Sequence, residues 1–416
     1  MFRFLLTAAV AVCLSWATLQ AQETDRRRFE SEAFNRSEIV KDRIKNTRWK
    51  FGDFSLTPII GLNKVGYDSN VFSTDETREE SDFSITPEVG LQSYLRLSPR
   101  WVWANRVAYK YQYYTDIDNL RGSEYNFKST MYGLFRRTYL ELGAQYNREN
   151  SRLNTETDQR PFIENNEAQI LINHELKPRH TIRYQTRWHD LDIKDADIEG
   201  LDDLIRSEMR HEVAYFYKPN PNFWPNLTIA HKTFDFDNDQ SPLEDSTFTR
   251  INAGLRNEFK RRFHYNVSLG MEELDFPKSS QVNDEVFIYA AYMEQKLTRQ
   301  WYVRGGGQQN PIFSIFDQFN YFVNRRIYAG GGYIFRNKIQ LGPVLEVGKN
   351  TYDNPRSQDG FRRDDDLQKF SLELELPFQR FYRLKIRAGW SERDSSIEEL
   401  SDEGFEVISE IYTTRF

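Results

Sequence analysis

The stretch Trp101-Val-Trp-Ala-Asn-Arg-Val-Ala-Tyr-Lys-Tyr-Gln-Tyr113 decides the fold. Trp101, Trp103, Val107, Tyr109, Tyr111 and Tyr113 recur at every second residue, while Arg106, Lys110 and Gln112 fall on the other face. A period of two belongs to an extended strand with two unlike faces and not to a helix. The alternation returns in Ile182, Tyr184 and Trp188 against Arg183, Gln185 and Arg187. It returns again in Tyr382, Leu384, Ile386, Ala388 and Trp390 against Arg383, Lys385 and Arg387.

Composition narrows what such strands can build. The 416 residues are 15% aromatic and 28% charged, with a mean hydropathy of −0.73. Disordered chains are this polar but lack the aromatics. No apolar run outside the N-terminus exceeds the eight residues Val286 to Met293, far short of the ~18 of a membrane-spanning helix. The net charge of −6 gives no bias toward polyanions, so no nucleic-acid partner is expected.

The connections between strands sort into two kinds. Eight are tight: 98–100, 136–138, 177–180, 218–222, 260–262, 298–300, 336–338 and 377–380. Nine are longer and polar, and the two kinds alternate from Phe51 to the end of the chain. Seventeen connections join eighteen strands of sufficient length for the ~9–11 residues that cross a bilayer at a tilt. The expected fold is therefore all-β: an antiparallel up-and-down transmembrane barrel of about 18 strands over 51–416, with short periplasmic turns and long extracellular loops. Only a closed sheet satisfies every backbone amide in lipid. Lipid outside and water inside also explain why half of each strand is polar.

Charge follows the same axis. The tight turns hold thirteen Lys and Arg and no Asp or Glu, whereas loop 190–203 holds seven acids against Lys194. Acids such as Asp195, Asp197, Asp202 and Asp203 are expected to share divalent cations with lipopolysaccharide phosphates. Aromatic pairs beside the tight turns, such as Trp101 with Trp103, read as an interfacial girdle.

Residues 1–21 read as a secretory signal, with Arg3, an apolar stretch from Leu5 to Leu19, and Ala21 at the cleavage point. Cys13, the one cysteine, lies within it, so the exported chain is expected to have no disulfide or thiol chemistry. Residues 22–50 form a polar periplasmic extension with one short helix, whose role is not readable from sequence.

The last strand ends in Tyr412-Thr-Thr-Arg-Phe416, which is similar to the assembly signal that barrels present to the outer-membrane insertion machinery, carried here by Tyr412 and Phe416. Phe54-Ser-Leu-Thr-Pro58 and Gly66-Tyr-Asp-Ser-Asn-Val-Phe72 resemble the opening of outer-membrane β-barrel porins, some of which accompany capsule or exopolysaccharide export. The resemblance implies location in the outer membrane, lipid and lipopolysaccharide as surroundings, and passage of a small hydrophilic solute or a secreted polysaccharide.

No constellation for catalysis, cofactor or metal emerges. The six histidines include no pair at the spacing of a helical zinc site, and no serine sits in a nucleophile-elbow sequence. Gly305-Gly-Gly307 and Gly330-Gly-Gly332 lie on successive strands, where glycine permits a bend or close approach of neighbouring groups. The candidate pore lining is the polar face: Arg106, Lys110, Arg183, Arg187, Arg206, Arg210, Arg256, Arg304, Glu373, Glu375, Arg383, Lys385 and Arg387. Two readings of these charges stay open, pairing across the wall or free arginines that attract anions. With Leu374 opposite Leu384, Glu375 is expected to face Arg383 and Glu373 to face Lys385. The alternative to a channel is a non-transporting surface barrel, an adhesin or receptor with a plugged lumen.

Overall fold

A computed structural model of the chain describes residues 36–72, 79–151, 160–194, 201, 204–220, 222–237, 245–257, 262–276, 284–314, 319–336, 338–352, 363–378, 382–397 and 400–413. The expected signal at 1–21, the loop acids Asp195, Asp197, Asp202 and Asp203, and the terminal Phe416 lie outside these residues.

Helix α1 (Arg36–Lys45) and the short β1 (Trp49–Phe51) precede eighteen long strands. They are β2 (Phe54–Asp68), β3 (Asp82–Arg96), β4 (Trp101–Tyr114), β5 (Gly122–Leu134), β6 (Thr138–Asn150), β7 (Phe162–Lys177), β8 (His180–Lys194), β9 (Arg206–Tyr217) and β10 (Trp224–Phe236). The series continues with β11 (Ser246–Arg256), β12 (Phe263–Asp275), β13 (Asp284–Lys296), β14 (Trp301–Phe313), β15 (Tyr321–Ile334), β16 (Gln340–Tyr352), β17 (Arg363–Phe378), β18 (Tyr382–Ser395) and β19 (Asp402–Thr413). Each pairs antiparallel with its sequence neighbour, and β19 returns to pair with β2, so the sheet is closed. The seam spans five paired positions, Leu62–Asp68 against Glu406–Ile411, with a bulge. Below it, β1 pairs with the start of β2.

The alternation sorts the two faces as a membrane barrel requires. Val107, Phe127, Ile251 and Leu269 are 45–53% exposed, whereas Ala104, Ala214 and Phe248 on the opposite parity are buried. Large apolar side chains facing out identify lipid as the outer solvent. No helix among the described residues is long and apolar enough to cross a membrane.

The tight turns are built by local chemistry. Ser98 Oγ accepts from the Arg100 and Trp101 amides, and Thr298 Oγ1 accepts likewise from Gln300 and Trp301. The short hydroxyl side chain thus supplies an additional acceptor at the corner. At the other end, the buried Asp82 carboxylate accepts from the amides of Thr115, Asp116 and Ile117 at 2.9–3.1 Å, fixing the β4–β5 loop to the head of β3.

The lumen is partly filled from both ends. At the tight-turn end, α1 lies against the inward face of β3–β7, with Val40 buried among Tyr94, Val102, Tyr132, Tyr139 and Leu171. Arg36 Nη1 reaches Glu141 Oε2 at 3.2 Å, and Glu141 is held by the Tyr139 hydroxyl and Gln169. The role of the N-terminal extension, unreadable in the sequence, begins with this placement: its helix sits inside the barrel. At the long-loop end, Phe313 of β14 meets Phe234 and Phe236 of β10 and Phe248 of β11, with ring centroids 4.8–5.3 Å apart. That contact bridges several strands and so crosses the interior.

Asp82→Ala removes the acceptor of three loop amides at once, one of them buried. We expect it to lower barrel stability by about 1–3 kcal/mol, measured by chaotrope unfolding in lipid vesicles.

Candidate functional site

The inward wall is the candidate site, because it alone offers polar chemistry inside a closed sheet. Arg106 and Lys110 share the parity of the buried Ala104 and Tyr114, and Arg387 is itself buried. The strand period brings all thirteen sequence candidates to this face.

Most of them are paired. Arg106 meets Glu88 at 3.1 Å, Lys110 meets Glu124 at 3.2 Å, and Arg187 meets Glu167 at 3.3 Å. Arg206 meets Glu208 at 2.8 Å, Arg387 meets Glu406 at 3.4 Å, and Arg210 pairs with Glu212. Arg183 donates to Asn173 Oδ1 at 3.0 Å, and its guanidinium and that of Arg256 lie 5.0 and 4.4 Å from the Phe216 ring centre. Of the two readings left open by the sequence, pairing across the wall describes most of these charges. Half-buried ion pairs contribute little net stability, but each spares its partner an uncompensated charge.

The register of β17 against β18 differs from expectation by two residues. Leu374 faces Ile386, Leu376 faces Leu384, and Glu375 faces Lys385. The strands run on to Phe378 and Tyr382, so the connection between them is shorter than the sequence reading assumed. Glu375 nevertheless pairs with Arg383, and Glu373 pairs with Lys385 at 3.5 Å. Long basic side chains reach diagonally, which leaves the partners unchanged although the register moved.

Glu373 also receives Arg304 at 2.7 Å, from β14 across the whole width of β15 and β16. Glycine in the second run lies beneath this reach. Arg304 Nε lies 3.5 Å from the point a Cβ on Gly330 would occupy, and Gly342 stands directly opposite Glu373. A side chain longer than alanine at Gly330 would crowd the guanidinium. Beside it, Tyr302 lies over Gly332 and Tyr328 over Gly306, each opposite its glycine in register. The glycines therefore form a floor on which two tyrosines and one arginine lie flat.

Several partners were missed in the sequence because acids on both faces look alike there. Glu272, fully buried, receives Arg250 at 2.5 Å, and Lys232 lies 3.9 Å away. Arg363 and Asp365, both fully buried, form a bidentate pair at 2.8 Å, joined by Ser395 Oγ at 2.7 Å. Strand parity was the available signal. His189 bonds Asn165 at 2.8 Å, a structural contact within the wall. Among the described residues no cluster of three or more His, Cys, Asp or Glu could hold a metal ion. Tyr412 stands opposite Arg383 in register.

An eighteen-strand closed sheet, apolar outside and charge-lined inside, defines the class of porin-type transmembrane barrels. Solved structures share this fold. The BenF-like porin from Pseudomonas fluorescens Pf-5 matches with a TM-score of 0.52 and 10% identity, covering 86% of this chain and 98% of that one. OccAB2 of Acinetobacter baumannii matches with 0.53 and 12% identity, covering 90% and 99%. The outer membrane protein opdK of Pseudomonas aeruginosa matches with 0.51 and 11% identity, covering 87% and 98%. At such identities the likeness establishes the fold and leaves the solute open. No protein-family profile and no curated protein matches the sequence. The association with polysaccharide export implied by the opening strand gains no support from these neighbours.

The glycine floor gives a direct test. A Cβ on Gly306 would stand 2.3 Å from the Ala291 carbonyl oxygen and 2.6 Å from the Tyr328 hydroxyl, and one on Gly332 would stand 2.6 Å from the Leu341 carbonyl oxygen and 2.9 Å from the Tyr302 hydroxyl. Gly306→Ala and Gly332→Ala are each expected to destabilise by about 1–3 kcal/mol. Gly404→Ala, with nothing nearer than 3.5 Å, should stay within about 0.5 kcal/mol. Thermal unfolding followed by gel mobility separates the three.

Proposed function

We propose that this chain is an outer-membrane channel for small hydrophilic solutes, oriented with its tight turns in the periplasm. The observation that carries this reading is the inner wall: where a packed barrel would hold an apolar core, ion pairs line the interior. An eighteen-strand barrel is wide enough for water along such a wall. No reaction is assigned to it. Solutes would pass α1 at the periplasmic mouth, where Lys41, Arg43 and Lys45 are exposed, and then the arginine–carboxylate pairs of β14, β17 and β18. Because most wall charges are compensated in pairs, the pore is expected to orient polar solutes more than to concentrate ions of one sign.

The second reading, a surface barrel that conducts nothing, draws on the contents of the lumen. Helix α1 fills part of one end, and the phenylalanine cluster around Phe313 fills part of the other.

Planar-bilayer recording tests both. Removal of residues 36–45 is expected to raise single-channel conductance. Glu373→Gln strips Arg304 and Lys385 of their shared carboxylate and should shift permeability toward anions a few-fold at low salt, an effect that fades as salt rises. A barrel that stays silent both intact and without α1 supports the surface role.

A further inference from the structure

The cations of the tight turns are deployed differently from those of the wall. Inside, Arg106, Lys110, Arg304 and Arg387 each have a carboxylate within 3.4 Å. At the rim, Arg100, Arg136, Arg137, Arg179, Arg299 and Lys338 are all exposed, and none forms an ion pair with a described residue. The eight turns themselves contain no acid in the sequence that could neutralise them.

A second observation comes from the backbone. Arg179 and Lys338 have φ of 74° and 65°, and they are the non-glycine residues in the left-handed region among the described residues. Glycine or asparagine adopts that conformation with least strain, and hairpin corners normally use them there. Both strained corners instead carry a cation. A third observation is the apolar collar beside them: Phe223, Phe263, Leu297, Trp301 and Phe335 are exposed on the outer face next to the turns. Trp301 packs edge-on against Tyr333 at 5.0 Å, and Tyr333 against Phe335 at 4.7 Å.

We propose that this rim binds the phosphates of anionic glycerophospholipids in the leaflet on the tight-turn side. Aromatic rings with a polar edge settle at the boundary between acyl chains and headgroups. Arg299 stands at the apex of the turn that Trp301 closes, beyond the ring collar, with its side chain exposed toward the headgroup region. Guanidinium meets phosphate through two parallel hydrogen bonds, and each basic side chain near an anionic leaflet adds attraction that salt screens. The long-loop end, with its acidic loops, offers no such match, so the binding is specific to one leaflet. The proposal needs no conduction and stands apart from the channel reading.

The full chain is reconstituted in vesicles of phosphatidylcholine alone and of phosphatidylcholine mixed with phosphatidylglycerol, and its heat unfolding is followed on gels. The mixture is expected to raise the unfolding temperature by several degrees at low salt, and the rise should vanish at high salt. The variant R179G/K338G relaxes both strained corners, so in phosphatidylcholine it should be at least as stable as the parent. Together with R136Q/R137Q it should lose most of the phosphatidylglycerol response. Equal stability of the parent in the two lipids overturns the proposal. So does a variant with an undiminished response, or inorganic phosphate that reproduces the rise in phosphatidylcholine alone.

Discussion

Everything in this molecule depends on one constraint: no backbone amide within hydrocarbon can be left without a partner. The pairing of β19 with β2 meets it, and it does so through a short seam of five positions with a bulge. Until that pairing forms, the sheet has two open edges and no inside. Once it forms, every strand acquires a lipid face and an enclosed face, and the period-two pattern has a meaning at each residue. Helix α1 and the cluster around Phe313 are consequences as well, since both pack against a surface that exists only after closure.

Enclosure also dictates the electrostatics. An exposed strand could carry isolated arginines at little cost, because water screens them. On the inner wall the same side chains are half or fully buried, and there an unpaired charge is expensive. The structure answers with pairs along a strand or between adjacent strands, and in one case with Arg304, which crosses two strands to reach Glu373. Bare backbone at Gly330 leaves room beside the arginine, and the carboxylate at its end draws on Lys385 as well.

Much of this was legible in the sequence, and the gaps have physical causes. Loop alternation gave strand number and direction, because each hairpin is a local event. The face occupied by Arg106, Arg183 or Arg387 followed from the same period. The offset of β17 against β18 did not, because a two-residue slide keeps every side chain on its face and leaves the pattern unchanged. The partners Glu88, Glu124 and Glu406 were hidden because an acid on a neighbouring strand carries no mark of its register. Helix α1 was recognisable as helical, but its docking on Tyr132 and Tyr139 was not.

By itself, then, the sequence determined what each residue faces: lipid, lumen, turn or loop. Those choices rest on local geometry and on the solvent each side chain tolerates. Only the tertiary structure decided which residue meets which. The register of neighbouring strands, the path of Arg304 over the glycines, and the seating of α1 inside the barrel are set by contacts between segments far apart in the chain. Such contacts depend on closure of the whole sheet, a property that no single strand encodes.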